Sequence, residues 1–495
     1  MLQTQSEVER TFEVDDAFAV PTLSGVQGVG SLGPPVDLAL DSAYVDTADL
    51  RLAAAGITLR RRTGGTDAGW HLKLPVDNDE RLELRAPLGA GRRPPAALLR
   101  RIRAHVRDAP LRTVATIRTA RVVHRLLDAD GQTLAEVCDD RVAASTADEP
   151  ERRWREIEME LVAGERGLLA AVGTALFAAG ARRARSRSKL GRALDERLPQ
   201  RPAPPTGSTA GAVVVRYLAE QVDSIVAADP KVRADEHDAV HQMRVAGRRL
   251  RSALTTYRPL FDRDTTEPIR AELKWLGTVL GPARDLEVLR ERLTGLLAED
   301  GVADRRLRNQ VERTIVARRR EARRSLLTEL DGSRYFRLLD ALDALVADPP
   351  LGGKAGRKAG AALRPLVARS WKRLRRSVDD AIAVGLTDDE QATRLHEARK
   401  DAKRTRYAAE AVQPHFGKPA KRFAKRMTRL QTVLGDAQDS SVGSAELASM
   451  AGVVPDGFAL GRAQVLEERR WHDAVTDFRA AWDKASRPAL RRWLR

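Results

Sequence analysis

Two different periods of apolar and polar residues divide the chain. Over the first 200 residues, short runs alternate with period two: Glu7 to Val14, Ile57 to Arg62, His71 to Leu74, Arg81 to Arg85, Val114–Leu127, Leu134–Val137 and Glu156–Val162. Gly, Asp and Pro turns separate them, the signature of antiparallel strands. Helical spacing is confined there to about 95–108, 165–180 and 48–55. The pattern predicts an α+β domain over 1–200. Residues 201–211, Arg-Pro-Ala-Pro-Pro-Thr-Gly-Ser-Thr-Ala-Gly, have no apolar period and read as a linker. From 212 to 495 the apolar positions recur every three or four residues in long helices, with breaks expected at 229–230, 349–353, 414–419 and 452–457. That stretch predicts an all-α domain of helical bundles.

Charge sharpens this division. Residues 1–200 hold 30 Lys and Arg against 29 Asp and Glu, whereas residues 201–495 hold 56 against 40. Nearly all of the net +17 therefore belongs to the helical part, which should attract a polyanion: nucleic acid, an anionic membrane surface or polyphosphate. The alternative is an Arg-rich face that only meets solvent. Aromatics make up 4%, too few for base stacking to be a main binding device, and no nucleic-acid reader motif is present. The one cysteine, Cys138, excludes a disulfide framework and a Cys-rich metal cluster and fits a reducing compartment. With no basic-then-apolar leader and no apolar run near the ~18 residues of a membrane span, the expected location is cytoplasmic.

The helical part contains a repeat. His241, Arg244, Arg248, Arg249 and Arg251 recur as His396, Arg399, Lys403, Arg404 and Arg406. Some forty residues on, Leu276-Gly-Thr-Val-Leu-Gly-Pro-Ala-Arg-Asp285 matches Leu430-Gln-Thr-Val-Leu-Gly-Asp-Ala-Gln-Asp439. A duplication explains both matches. The spacing i, i+3, i+7, i+10 puts His241, Arg244, Arg248 and Arg251 on one helix face. Stacked like charges repel, so such a face costs helix stability unless an anion neutralises it. Recurrence favours a binding surface over a solvated face. The two histidines read as hydrogen-bonded or anion-facing, because no carboxylate pair accompanies either at metal-ligand spacing. Gly353-Lys-Ala-Gly-Arg-Lys358 lacks the P-loop arrangement and reads as a basic loop.

In the N-terminal part the alternation carries charge. Glu7 and Glu9 share a strand face, as do Glu156, Glu158 and Glu160, Arg60 and Arg62, His71 and Lys73, and Glu83 and Arg85. Two structures accommodate this: an antiparallel sheet with one solvated face, or a water-filled barrel holding a highly charged ligand. In the barrel, carboxylates would hold hard divalent ions and the basic residues would grip phosphate oxygens.

Both parts resemble known families. EVERTFEV, YVDTADLRLAAAGITLRRRTGG, WHLKLP, RLELRAPL, EIEMELVAGE and SRSKLGRAL, in this order across 1–200, are similar to successive blocks of CYTH, or triphosphate-tunnel, domains. VHQMRVAGRRLRSAL, LGPARDLEVL, LHEARKDAKRTRYAAE and LQTVLGDAQD, across 212–495, resemble the repeats of CHAD domains. The resemblance implies an eight-stranded antiparallel tunnel followed by two pseudo-symmetric four-helix bundles. By position, it implies a triphosphate site with Mg²⁺ or Mn²⁺: Glu7, Glu9, Glu158 and Glu160 as metal carboxylates, with Glu156 an additional candidate. Arg60, Arg62, Lys73, Arg85, Arg121 and Lys189 are then the phosphate-binding residues, and Glu7, Glu9 and Lys73 the catalytic group. It implies polyphosphate binding by His241, Arg244, Arg248, Arg249, Arg251, His396, Arg399, Lys403, Arg404 and Arg406, and a location at polyphosphate granules. One position departs from the family: the Glu-x-Glu-x-Lys signature ends here in Thr11. Arg10 points to the other strand face and cannot replace that lysine. Binding basics remain, so the expectation is a slow inorganic triphosphatase, with a non-catalytic polyphosphate-binding module as the alternative and a nucleic-acid-binding protein as a further one.

Overall fold

The structure is a computed structural model; residues 2–76, 79–89, 91–147, 149–199, 205–299, 304–450 and 457–495 are described. The chain divides into two compact units, Met1–Arg201 and Pro202–Arg495.

Among the described residues the first unit has ten strands and five short α-helices: β1 Gln3–Val14, β2 Ser31–Leu32, β3 Val36–Asp46, α1 Arg51–Ala54, β4 Thr58–Thr63, β5 Gly69–Pro75, β6 Glu80–Ala86, α2 Ala96–Arg101, α3 Arg103–Val106, β7 Arg112–Leu127, β8 Thr133–Thr146, β9 Glu149–Leu161, α4 Arg166–Ala178, β10 Arg182–Arg183 and α5 Lys189–Leu194. Eight strands close a ring in the order β1-β6-β5-β4-β3-β7-β8-β9, with β9 returning to β1. All pairings are antiparallel. Strand β1 makes the closure by dividing its length: Gln3–Val8 pairs with β6 and Glu9–Val14 with β9. The charged face is therefore the interior of a closed barrel rather than one side of an open sheet.

This barrel is apolar outside and charged inside. The outward residues Phe12, Val137, Ile157 and Met159 pack under Leu169, Val172 and Leu176 of α4. Leu59, Leu72 and Leu84, neighbours across β4, β5 and β6, pack under Leu98 and Ile102. Burying these faces beneath helices supplies the hydrophobic stabilisation that a polar interior cannot. Part of the interior is filled by α5, whose Leu190, Ala193 and Leu194 pack on Tyr44, Ala115, Ile117, Val142 and Ala144.

The pattern under-reads several elements. Strand β3 and helix α5 are absent from it, and β8 and β9 run well beyond the Leu134–Val137 and Glu156–Val162 stretches.

The second unit contains α6 Ala210–Arg233, α7 Ala239–Thr256, α8 Arg263–Val279, α9 Gly281–Leu297, α10 Arg305–Leu330, α11 Ser333–Ala347, α12 Ala359–Ala381, α13 Asp388–Phe416, α14 Lys418–Met450 and α15 Gly457–Ala485. The helices begin earlier than expected. Thr209 caps α6 by accepting from the Ala212 amide, so Ala210 and Gly211 of the linker stretch are its first turn. A Cβ on Gly211 would meet the Ala355 side chain at 2.9 Å, a close approach that favours glycine there. Residues 201–204 of that stretch, and 452–456 of the last expected break, lie outside the described residues. The break expected at 229–230 does not occur. Pro230 lies within the last turn of α6, where Arg233 Nε donates to buried Asp229 at 2.7 Å and Arg233 Nη2 donates to the Leu330 carbonyl at 2.8 Å. The proline removes one helical amide donor there, and these side-chain bonds tie the turn down nonetheless. The break at 414–419 falls at Gly417, with φ 64°.

The repeat is visible in the helices. α7 and α13 carry the His-basic copies; α8 with α9, and α14, carry the second motif. α14 runs unbroken through Leu434-Gly-Asp-Ala, whereas the first copy breaks at Leu280 because Pro282 has no amide to donate. The two copies share a core: Leu289, Leu293 and Leu296 of α9 and Val311 and Ile315 of α10 pack with Leu447 and Met450 of α14 and Leu460 of α15. Among the described residues no helix is long and apolar enough to cross a membrane.

Candidate functional site

Strand register decides which charges face one another in the barrel. On the inner face, Glu9 stands opposite Glu160, Thr11 opposite Glu158 and Glu13 opposite Glu156 in the β1–β9 pairing. Glu156 lies opposite Asp140, and Asp140 opposite Arg121. Arg60 lies opposite His71, His71 opposite Arg85, and Lys73 opposite Glu83. The interior candidates therefore occupy one lumen, contributed by β1, β4, β5, β6, β7 and β9, with Lys189 entering at the first residue of α5.

Two ion-pair clusters fill it. In the first, Lys73 Nζ lies 2.5 Å from Glu7 Oε2 and 3.4 Å from Glu9 Oε2. Arg81 Nε is 3.3 Å from Glu9 Oε1, and an Arg85 terminal nitrogen is 3.3 Å from Glu7 Oε1. Glu83 is fully buried, ion-paired with Arg85 and 2.9 Å from His71 Nδ1. In the second cluster, Arg121 grips Asp140 with two bonds of 2.7 Å and reaches Glu158 at 2.5 Å. Lys189 Nζ lies 2.8 Å from Asp140, 2.9 Å from Glu156 and 2.5 Å from Glu158. Arg60 donates to the Tyr44 hydroxyl at 3.2 Å and Arg62 to Asp67 at 2.7 Å.

The ionisation states follow from this crowding. Burial works against the Lys73 and Lys189 ammonium groups, but their carboxylate partners outweigh it and raise both above the usual lysine range. Burial likewise opposes the Glu158 carboxylate, yet Lys189 and Arg121 hold it well below the usual range. Glu160 goes the other way: burial raises it, Lys73 opposes, and Glu9 and Glu158 raise it further. Burial also raises Glu7, with Glu83 adding to the effect against Lys73. Acids of both kinds within one lumen form an environment that further positive charge would relieve.

The carboxylates fit a divalent cation. Asp140, Glu156 and Glu158 each offer an oxygen, all within 4.8 Å of one another, and an all-oxygen donor set suits a hard ion such as Mg²⁺ or Mn²⁺. Of the four metal carboxylates expected from sequence, Glu158 belongs to this triplet. Glu7, Glu9 and Glu160 gather around Lys73 instead. Asp140 was missed because the β8 reading stopped at Val137, although Glu136, Cys138 and Asp140 continue its alternation. Arg81 and Glu83 were overlooked as site residues although they share a face with Arg85.

Thr11 is on the inner face, and Arg10 is turned away to pair with Asp79 at 2.7 Å. Glu158, opposite Thr11, is already served by Lys189 and Arg121.

The helical unit holds a second constellation. Arg244, Arg248 and Arg251 of α7 face Arg399, Lys403 and Arg404 of α13, and the two helices pack directly. Burial, then Arg399 and Arg248, pull Lys403 down to about 7. Burial likewise lowers Arg251, with Arg270, Arg248 and Arg404 adding to it. Tyr407 sits at the join: its hydroxyl accepts from Arg248 Nε at 3.1 Å, and Arg248, Arg249 and Arg406 approach its ring at 5.9, 5.6 and 5.7 Å. Glu410 pairs with Arg249 at 3.2 Å and Arg406 at 2.6 Å. Arg244 pairs with Asp285 at 2.7 Å, and Arg399 lies 3.7 Å from Asp439, so the second motif of each copy supplies a counter-ion to the first. His396 Nδ1 is bonded to Gln438 Oε1, and His241 lies near Arg284 and Asp238. Tyr407 and Glu410 were missed; they follow Arg406 by one and four residues.

A closed barrel with a charged lumen, followed by duplicated helices with a basic seam, defines a two-domain class, and comparison with known proteins places the chain within it. A model of the CYTH domain matches residues 5–192 and one of the CHAD domain residues 216–448. Two uncharacterized proteins of Mycobacterium tuberculosis, MT2285 from strain CDC 1551 / Oshkosh and Rv2226 from strain ATCC 25618 / H37Rv, are each 40% identical over 473 residues, covering 90% of this chain and 88% of the relative. The chain belongs to the CYTH–CHAD family. Solved structures similar to it include PptA from Streptomyces chartreusis (24% identical, 56% of this chain and 100% of that one, TM-score 0.48) and the CHAD domain from the plant Ricinus communis (24%, 57% and 94%, TM-score 0.45). A putative adenylyl cyclase from Hippeastrum, HpAC1, which has a dominant triphosphatase activity, is 16% identical over 39% of this chain and 95% of that one, with TM-score 0.27.

Proposed function

We propose that the barrel binds linear triphosphate together with a divalent cation and hydrolyses it, while the seam of α7 and α13 binds inorganic polyphosphate. One observation carries the reading of the barrel: its lumen holds a nearly matched set of cations and carboxylates. A triphosphate brings negative charge for the cations, and its accompanying Mg²⁺ or Mn²⁺ brings positive charge for the carboxylates. Binding thus exchanges internal ion pairs for pairs with the ligand, without leaving a buried charge unmatched. Arg60, Arg62, Lys73, Arg85, Arg121 and Lys189 would take phosphate oxygens; the carboxylates Glu7, Glu9, Glu158 and Glu160, with Asp140 and Glu156, would take the cation. The bound cation supplies charge neutralisation and orients water. Water then attacks the terminal phosphorus, the bridging P–O bond breaks, and pyrophosphate leaves with the bridging oxygen and its electron pair as orthophosphate is released.

Phosphate release from triphosphate by the full chain, with and without Mg²⁺, tests this. Release that requires the metal, and that Glu158→Gln lowers by about tenfold or more, supports it. Metal-independent release, or release that Glu158→Gln leaves intact, contradicts it. Thr11 favours the second reading, a tunnel that binds without turnover; tight metal-dependent triphosphate binding with no release would establish that reading instead. The seam also supports retention of the protein at polyphosphate granules, which would raise substrate concentration near the tunnel.

A further inference from the structure

One sizeable cleft lies outside the ion-paired lumen. A cleft of about 820 Å³ lies among the Gly56–Thr58 turn, Pro75 at the end of β5, Arg152–Trp154 at the start of β9, and the segment 185–192 leading into α5. Six arginines line it: Arg81, Arg152, Arg153, Arg185, Arg187 and Arg192. Four acids oppose them: Glu13 and Asp195 in the lining, Asp195 lying 2.8 Å from Arg152, and beside it Glu149, 3.2 Å from Arg152, and Glu151, 2.7 Å from Arg153, which leaves the arginines in excess. Two residues of the cleft also stand against lumen carboxylates. Arg81 lines the cleft and lies 3.3 Å from Glu9, while Arg192 lines it and lies 3.6 Å from Glu156 and 3.9 Å from Glu13. Arg192 also covers the Trp154 ring at 4.9 Å, which fixes its guanidinium beside the lumen carboxylates.

An enclosed site for triphosphate alone has no use for this extra charge outside the lumen. A linear polyanion with its end in the lumen does, because its remaining units must leave through an opening that tolerates dense negative charge. Arginines suit that opening, since the guanidinium fork binds phosphate oxygens along a chain without demanding one register. From the cavity, the arginine excess and the two arginines that also meet lumen carboxylates, we infer that the tunnel takes the end of a long polyphosphate chain and that this cleft holds the units that follow. The inference rests on the triphosphatase reading and extends it from a free small anion to a chain terminus.

The test uses the full chain and two reversed charges in the outer cleft, Arg153→Glu with Arg185→Glu. Both side chains are exposed and neither belongs to the lumen clusters. Arg92→Glu with Arg93→Glu, exposed and outside the cleft, serves as the control. With linear polyphosphate of defined length as substrate, the cleft variant should raise KM by about tenfold, while KM for triphosphate and kcat for both substrates stay within about twofold. The helical unit is common to all variants, so the difference reports the cleft. Equal KM changes on both substrates, or none on the long chain, would overturn the inference. If neither substrate is hydrolysed, the same comparison is read by equilibrium binding with Mg²⁺ present, in the full chain also carrying Arg244→Glu and Arg399→Glu so that the seam does not mask the cleft. A selective loss for the long chain then keeps the cleft and removes only the hydrolytic reading; no selective loss removes the cleft.

Discussion

The lumen and the α7–α13 seam use the same basic side chains against opposite backgrounds. In the lumen every lysine has carboxylate partners, and Lys73 and Lys189 are held charged despite burial. In the seam Lys403 faces Arg399 of its own helix and Arg248 and Arg244 of α7, with Asp439 of α14 as the opposing acid, and burial with these neighbours pulls it down to about 7. The first arrangement is neutral before ligand arrives and admits an anion only if a cation comes with it. The second carries more cations than its few acids compensate, an excess that an anion alone relieves. The difference separates two ways of holding phosphate: exchange of internal ion pairs, which gives selectivity for a metal–phosphate pair, and relief of repulsion, which gives affinity for any sufficiently dense polyanion.

The largest expected effect comes from removing one lysine on each side of this comparison. Lys189→Met takes from Asp140, Glu156 and Glu158 the cation they share, leaving only Arg121 and Arg192 against them, and should destabilise the first unit by about 3–5 kcal/mol, partly restored by Mg²⁺. Lys403→Met removes a repelled charge and should leave stability unchanged or raised. Thermal unfolding of both variants checks the pair, and equal destabilisation would erase the distinction. Next, Arg244→Glu with Arg399→Glu should weaken long-polyphosphate binding by about a hundredfold at low salt. Reversal of Arg318 and Arg319, which pair with Glu446 and Asp235, should cost far less. Equal losses would reduce the seam to general charge attraction.

Thr11→Lys should raise triphosphate turnover by about tenfold, or about 1.4 kcal/mol, with little change in KM, since Lys73, Arg60 and Arg62 already hold the ground state. Fast natural turnover that the lysine leaves unchanged would mean that Lys189, across Glu158, already does its work. The smallest effect is in pH. The unfolded chain takes the Lys403 proton in the ordinary lysine range and the folded chain only near 7, so the ligand-free fold loses stability as pH falls between them. Bound polyphosphate favours the ammonium, so binding should weaken by about fivefold from pH 6 to pH 8, and Lys403→Arg should flatten that slope. A wild-type profile as flat as the variant's would remove Lys403 from the site.

The two regions also differed in how much of them was legible from sequence. The seam was read almost whole because its determinants are local: a helix face is set by spacing within ten residues, and the repeat displays it twice. The partners that temper it, Tyr407 and Glu410, escaped because their contacts to Arg248 and Arg249 cross between helices and leave no periodic trace, although Glu410 also stands at i+4 from Arg406. In the barrel, the faces of β1, β4, β5 and β6 followed from alternation, but closure depends on β1 meeting β9 some 150 residues away. Asp139 and Asp140 fall just past the stretch read as a strand, which ended at Val137, and instead lie inside β8, where Arg155 neutralises the first at 2.7 Å and Arg121 with Lys189 the second. Helix α5 is six residues long, too short to announce itself, and exists through its packing inside the barrel.

The distinction between ion-pair exchange and relief of repulsion is tested most directly by calorimetric titration with and without Mg²⁺. Triphosphate would be titrated into the full chain carrying Arg244→Glu and Arg399→Glu, which silences the seam, and long polyphosphate into the full chain carrying Lys73→Gln and Arg85→Gln, which removes phosphate-binding cations from the tunnel. Triphosphate binding that appears only with Mg²⁺, beside polyphosphate binding that persists without it, is the predicted result. Tight triphosphate binding in the absence of the metal, or loss of polyphosphate binding when the metal is removed, would contradict it.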